Sequence, residues 1–478
     1  MLLTRWLYLR ALGVTALIAV GSFWAQLDGL IGSHGIAPAK LLIEVAGQRG
    51  ENFFDRPTLC WLSSSDAMLN ALAAAGVILS LLLIAGLAPR IVLALLWLCW
   101  ISLVEVGGPF LSFQWDVLLL EAIAFSIPFA PPSLLPQWGR EPEPSHWSRW
   151  ILGFIAFKVT FSSGVVKLVS QDPSWRDLSA LSYHYWTQPL PTWTSYVANQ
   201  LPMMAHRLSC LVMFALELPL AACALGPRPA RRIAAVAMAT LQITLGLAGN
   251  YAYFNLLSLT LALPLLDDDA LRMFAPKKRP LPDWTAAPRI ERAWQRNAGW
   301  ALAVFVAVFS LLEFTNPAAL GGFGRRVRSF DTINRYGAFA VMTKTRPEII
   351  VEGSADGVNW KPYEFKYKPG DVTVRPRWAS PWQPRLDWQM WFAALRPCAD
   401  RWFISFQHEL LTGNRTVLSL LETNPFPDAP PKFLRTQQYQ YRFAPLQEKG
   451  VWWTRTLEGA YCPELALGPD GQMGTVSE

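Results

Sequence analysis

Apolar runs of about twenty residues alternate with short polar connections up to residue 315, and beyond it the pattern changes. An α-helix rises 1.5 Å per residue, so about twenty apolar residues cross a hydrocarbon core of roughly 30 Å. The first run, Ala11 to Trp24, follows Arg5 and Arg10. Further runs cover about 67–86, 91–107, 113–130, 150–169, 208–225, 232–247, 254–266 and 298–314. They predict an α-helical multi-pass membrane bundle of about nine spans over residues 1–315. The two segments around Asn250 are short enough to form one re-entrant unit instead. Lacking a small-residue cleavage motif, the first run reads as an uncleaved signal-anchor. Residues 27–65 are too polar to span, and their Gly and Pro predict loops and interfacial turns.

No run of that length follows Phe314, and residues 325–478 predict a soluble C-terminal domain, α+β or β-rich. Ile349–Ser354 and Tyr363–Tyr367 read as strands flanking an Asp356-Gly357 turn. Residues 381–395 and 402–411 carry apolar positions every three or four residues and read as helices. A proline-rich connector at 424–433 precedes a return to strand at 436–443.

Composition strengthens the membrane reading: 52% of residues are hydrophobic, 23 are Trp and only 16% are charged, against roughly 25% charged in soluble domains. The net charge of +7 does not point to nucleic acid, because the basic residues sit in short runs beside apolar segments, as in cytoplasmic loops. With nine spans and a cytoplasmic amino terminus, the inside loops hold Arg90, Arg140–Arg149, Arg228, Arg231, Arg232 and the Lys277-Lys278-Arg279 link with Arg289. The C-terminal domain then lies outside, whereas an even span count would break that agreement.

Charged residues within the apolar runs are the main chemical signal. A lysine at mid-membrane costs about 2.5–3.5 kcal/mol, so Lys158 and Lys167 are expected to be paired. Counting depth along antiparallel spans sets Glu121 level with Lys158 near mid-membrane and Asp116 level with Lys167 near the outer face. Positions nine apart on a helix point about half a turn apart, so Glu105 and Glu217 are further partners. Two readings stay open. These ions fix bundle register, or they form an outer-leaflet catalytic site with Lys167 as base or anion clamp, assisted by Asp116 or His184.

Other catalytic signatures are missing: no GxSxG, HExxH or Walker motif occurs, and His34, His146, His206 and His408 are scattered. No cofactor or metal is predicted. The six cysteines form no CxxC. Cys398 and Cys462, both in the later domain, are either a disulfide or two free thiols. The loop after residue 170 is crowded with Trp175, Tyr183, His184, Tyr185 and Trp186, which suits a membrane surface. In the C-terminal domain Trp360, Tyr363, Trp378 and Trp382 are candidates for contact with a client protein, while Trp388, Trp391 and Phe392 fall at helical spacing and read as core.

FLSFQWDVLLLEA (110–122), FSSGVVKLVSQDPSWRDLSALSYHYWTQPLP (161–191), NYAYFNLLSLTLALPLLDD (250–268) and NRYGAFAVMTKTRPEIIVEGSADGVNWKPYEFKYKPGD (334–371), followed by RLDWQMWFAAL, closely resemble the lipase maturation factor family. The resemblance implies a multi-pass membrane protein that, in animals, sits in the endoplasmic reticulum and brings newly made lipases to an active form. It implies partner contacts with a secreted lipase or other exported client in about residues 330–470. In a bacterium the corresponding membrane is the inner membrane. A weaker likeness covers only 164–178: GVVKL followed by PSWRDL is similar to a segment of the vitamin K-dependent carboxylase, and would map a catalytic base onto Lys167. The leading expectation is a non-enzymatic maturation factor, and the alternative is a membrane enzyme acting at the outer leaflet.

Overall fold

The computed structural model describes residues 1–137, 139–273 and 291–476. The basic cluster Lys277-Lys278-Arg279 and Arg289 lies outside the described residues. The principal helices of the first part are α1 (Leu2–Trp24), α2 (Asp66–Ala85), α3 (Pro89–Val106), α4 (Gln114–Ser126), α5 (His146–Val169), α6 (Ala180–Thr187), α7 (Met203–Glu217), α8 (Arg228–Ala248), α9 (Phe254–Ala262) and α10 (Ala293–Thr315). Local chemistry sets their ends. The Ser65 hydroxyl accepts the Met68 N–H at the start of α2, and Gly86, at φ +84°, closes it in the left-handed conformation.

Among the described residues, six helices are long and apolar enough to cross a membrane: α1, α2, α3, α5, α7 with its continuation to Leu225, and α10. The other three expected spans differ from these. At 13 and 9 residues, α4 and α9 are about 20 and 14 Å long. Their apolar residues are largely buried inside the bundle. Although α8 has 21 residues, it opens on Arg228, Arg231 and Arg232. Residues 27–65 are also more ordered than loops, with helices at Leu27–Ile31 and Ala39–Gln48.

The C-terminal part holds helices α11 (Arg385–Ala394) and α12 (Arg401–Leu411) against an antiparallel sheet of β1 (Pro347–Ser354), β2 (Trp360–Pro362), β3 (Phe433–Phe443), β4 (Trp453–Leu467) and β5 (Met473–Thr475). Strand order is β2-β1-β3-β4-β5, with Ile350 opposite Gln437 and Tyr441 opposite Arg455. The Asp356-Gly357 turn is present: the Asp356 carboxylate accepts the N–H groups of Val358 and Asn359, and Gly357 has φ +77°. The strand expected at Tyr363–Tyr367 lies earlier, at Trp360–Pro362. Asp387 takes the Tyr367 and Lys368 N–H groups at 2.7 and 2.9 Å, which ties that stretch to α11 and away from the ladder. Cys398 and Cys462 form a disulfide between the α11–α12 connection and β4.

This domain caps one end of the bundle and shares its core, which runs from Tyr8 and Trp100 through Leu119 to Trp388 and Phe403. Buried Arg346 donates to the carbonyls of Trp186 and Pro189 (2.8 Å each) and of Gln188. Asn250, at the break between α8 and α9, donates to the Arg377 carbonyl (2.8 Å) and accepts the Ala379 N–H (2.7 Å). At the opposite end the N-terminal ammonium meets Glu143 and Asp268, Arg5 meets Glu141, and Arg232 meets Asp267.

Candidate functional site

The charges Asp116, Glu121, Lys158, Lys167 and Glu217 each have a counter-charge, and the partners come from distant parts of the chain. Lys158 of α5 reaches Glu121 of α4 at 2.5 Å and the Ser310 hydroxyl of α10 at 3.3 Å. The other oxygen of Glu121 accepts the Tyr336 hydroxyl. Lys167 does not meet Asp116 as depth counting predicts. Its ammonium donates to both oxygens of Glu217 (2.7 and 2.8 Å) and to the Ser163 carbonyl (3.1 Å), which engages all three protons. Azimuth decides the difference, because Lys167 points across the Gly164 face onto α7. A Cβ at Gly164 would lie 2.8 Å from Leu218 Cδ2, so only glycine lets the helices approach this closely.

Asp116 pairs instead with Arg385 of α11, at 2.9 and 3.1 Å, and accepts the Tyr253 hydroxyl at 2.6 Å. Bidentate geometry makes this the strong kind of ion pair. Glu105 meets Arg56 at 3.2 Å near the end of α3.

Between α5, α7, α8 and the C-terminal domain lies a cavity of about 390 Å³. Lys167, Glu217 and His184 line it, with Trp175, Tyr251 and Trp388 among its aromatic walls. Asp116 does not line it, so Lys167 and His184 share a site from which Asp116 is absent. His184 Nε2 lies 2.8 Å from the Tyr251 hydroxyl, which donates to Gln188 Oε1 at 2.7 Å and therefore accepts from the imidazole. Burial and the nearby Lys167 charge push the His184 pKa down to about 4. The ring is neutral at neutral pH.

A strap over residues 337–342 closes one side of the cavity. Gln114 accepts the Gly337 N–H, Trp175 Nε1 donates to the Phe339 carbonyl, and Asp172 accepts the Met342 N–H at 2.6 Å. Phe339 is held at φ +55°, a costly conformation for a bulky residue, with its ring 4.7 Å from that of His184.

The candidate client contacts separate by exposure. Tyr363 is only 3% exposed and packs on Phe426, so as a core residue it is corrected out of that surface set. Trp360 is half-buried beneath the Arg435 guanidinium. Trp378 and Trp382 are 46% and 39% exposed, and Trp378 stacks on Trp193.

Against known proteins, residues 3–273 match the lipase maturation factor transmembrane domain and residues 332–463 match the lipase maturation factor C-terminal domain. The chain belongs to the lipase maturation factor family. Lipase maturation factor 2 of Rattus norvegicus is 32% identical over 97% of this chain and 83% of its own length. Lipase maturation factor 2 of Homo sapiens is 31% identical over 98% and 83%, and lipase maturation factor 1 of Homo sapiens 32% over 97% and 88%. No solved structure matches.

The two family regions are joined through buried polar groups. Glu121 and Asp116 lie in the first region, while Tyr336 and Arg385, which bind them, lie in the second. Neither partner was identified by sequence reasoning. Arg385 had a visible signal, a cation opening the otherwise largely apolar helix RLDWQMWFAAL. Tyr336 and Tyr253 had none, because a tyrosine in an aromatic-rich chain does not announce a hydrogen bond to a buried carboxylate.

Proposed function

We propose that this protein is a membrane-embedded maturation factor for exported lipases, contacting its client through the C-terminal domain. The observation that carries this reading is that both family regions occur in order over nearly the whole chain. Trp378 and Trp382 are the exposed aromatic candidates for the contact. The amino terminus is cytoplasmic, and the domain faces the lumen or periplasm after nine passes, including α4, α8 and α9. Alternation supports the count. Arg90, at the start of α3, donates to the Ala130 carbonyl just past α4, and Arg149, early in α5, donates to the Pro264 carbonyl just past α9. These contacts belong to the end that carries the basic loops, while the C-terminal domain covers the other end. A disulfide in that domain fits an oxidising compartment.

Lys167, with its three protons engaged by Glu217 and Ser163, is a structural cation in this reading. The test is the specific activity of a secreted lipase per molecule of soluble lipase. The lipase is co-expressed with no factor, with this protein, or with Lys167→Ala at matched abundance. A rise with the native protein supports maturation. An equal rise with the variant supports the structural role, whereas a rise restricted to the native form would favour chemistry at Lys167. No rise with any lipase overturns the proposed client. Trp378→Ala combined with Trp382→Ala should reduce lipase co-purification severalfold without changing the thermal midpoint, and undiminished co-purification would move the contact elsewhere.

A further inference from the structure

We infer that the 390 Å³ cavity is a binding site for one neutral, single-chain lipid with a polyol head, of the monoacylglycerol class. Its volume lies at the low end of the roughly 300–1,000 Å³ of small-molecule sites, which favours one chain over two. The walls are mostly aromatic and aliphatic, with Trp115, Phe254 and Leu245 among them. The one charged pair on the wall, Lys167 with Glu217, is satisfied within itself and offers no free charge to an ionic head.

Polar groups without partners mark where a head would sit. Gln242 of α8 lines the cavity, whereas Asn255 and Ser258, on α9 after the wall residue Phe254, do not. They are 3%, 8% and 9% exposed. Gln242 Oε1, both amide atoms of Asn255 and the Ser258 hydroxyl find no hydrogen-bond partner among the described residues. Gly246, one turn beyond Gln242, brings the helices together here, since a Cβ there would lie 2.8 Å from Asn255 Nδ2. Trp388 Nε1, on a further wall residue, is likewise unpartnered. Each such group costs about 1–3 kcal/mol when left unsatisfied. On the cavity wall, Gln242 Oε1 and Trp388 Nε1 together call for a ligand that both donates and accepts without charge. Glycerol hydroxyls do both, and an ester carbonyl could accept from Trp388.

This site goes beyond the maturation role and is read without any lipase, so either can fail alone. Purified full-length protein in detergent would be photolabelled with a monoacylglycerol carrying a diazirine in its chain. Unlabelled 1-monooleoylglycerol, oleate and methyl oleate would compete. The expected result is one saturable site, labelled within residues 159–175, 241–255 or 337–342, with 1-monooleoylglycerol competing at least about tenfold better than the other two. Gln242→Leu should weaken binding about tenfold, the loss of a buried hydrogen bond, and Leu245→Trp should abolish it by filling the volume. Absence of saturable labelling would mean a water-filled cavity and would overturn the proposal. Equal competition by oleate or methyl oleate would overturn the polyol head, as would unchanged affinity in a folded Gln242→Leu. If that variant does not fold, competition on the native protein decides.

Discussion

Asp116 is held by Arg385, by the Tyr253 hydroxyl and by the Phe113 N–H, all at a place where water does not reach. Removing one member of such a pair leaves a buried charge without compensation. Arg385→Met should therefore lower stability by about 3–5 kcal/mol, seen as a reduced thermal midpoint in detergent, and an unchanged midpoint would mean the carboxylate is solvated or protonated at little cost. His184 responds to pH. Its pKa, ordinarily 6.5, is lowered to about 4 in the folded protein, so below pH 6.5 the unfolded chain binds the extra proton first. The contribution is fully present above pH 6.5 and is lost as pH falls toward 4, on the order of 3 kcal/mol in all. Thermal midpoints from pH 7.5 to 4.5 should fall for the native protein and less for His184→Gln. Parallel curves would assign the acid sensitivity to other groups.

Among elements, the crossing of α5 on α7 depends on Gly164, and the Lys167–Glu217 pair depends on that crossing. Gly164→Val would drive a side chain into Leu218, at a cost of about 1–3 kcal/mol, and part the ion pair. A lower midpoint and loss of saturable photolabelling in the adjacent cavity are expected, and retention of both would show that the helices can separate without harm. Apolar pattern located the helices well, because burial and membrane exposure both demand the same side chains. For that same reason it could not distinguish α4, buried among other helices, from α2, which exposes Ile78 and Leu81. The strand at Trp360–Pro362 was displaced in the reading of pattern for a different reason: only the folded chain brings Asp387 to the Tyr367 and Lys368 N–H groups.

As a whole, the molecule is a bundle with a cap rather than a bundle with a tethered domain. Arg346, Asn250 and Arg385 each bind across the junction, so the domain's position is set by buried polar contacts as well as by the shared core. The Cys398–Cys462 link then secures the cap internally over a sequence separation of 64. Replacing both cysteines by serine should cost about 2–4 kcal/mol, and lipase activation should fall in proportion to the folded fraction. In the native protein, maleimide added without reductant should leave these two cysteines unlabelled. Labelling at both would mean the link does not form in the cell.

Hydropathy period, charge scarcity and the run of family motifs are properties of the chain itself. They determined that this is a membrane protein of the lipase maturation factor family, with a strand-bearing C-terminal region. The cost of a buried lysine also determined that Lys158 and Lys167 would be paired. Which carboxylate each would meet depended on azimuth and helix tilt, quantities set by close packing at Gly164 and by a domain more than two hundred residues away. Tertiary structure alone gave Lys167 to Glu217 and Asp116 to Arg385, because a charge in a low-dielectric interior takes the partner that packing brings within hydrogen-bond reach.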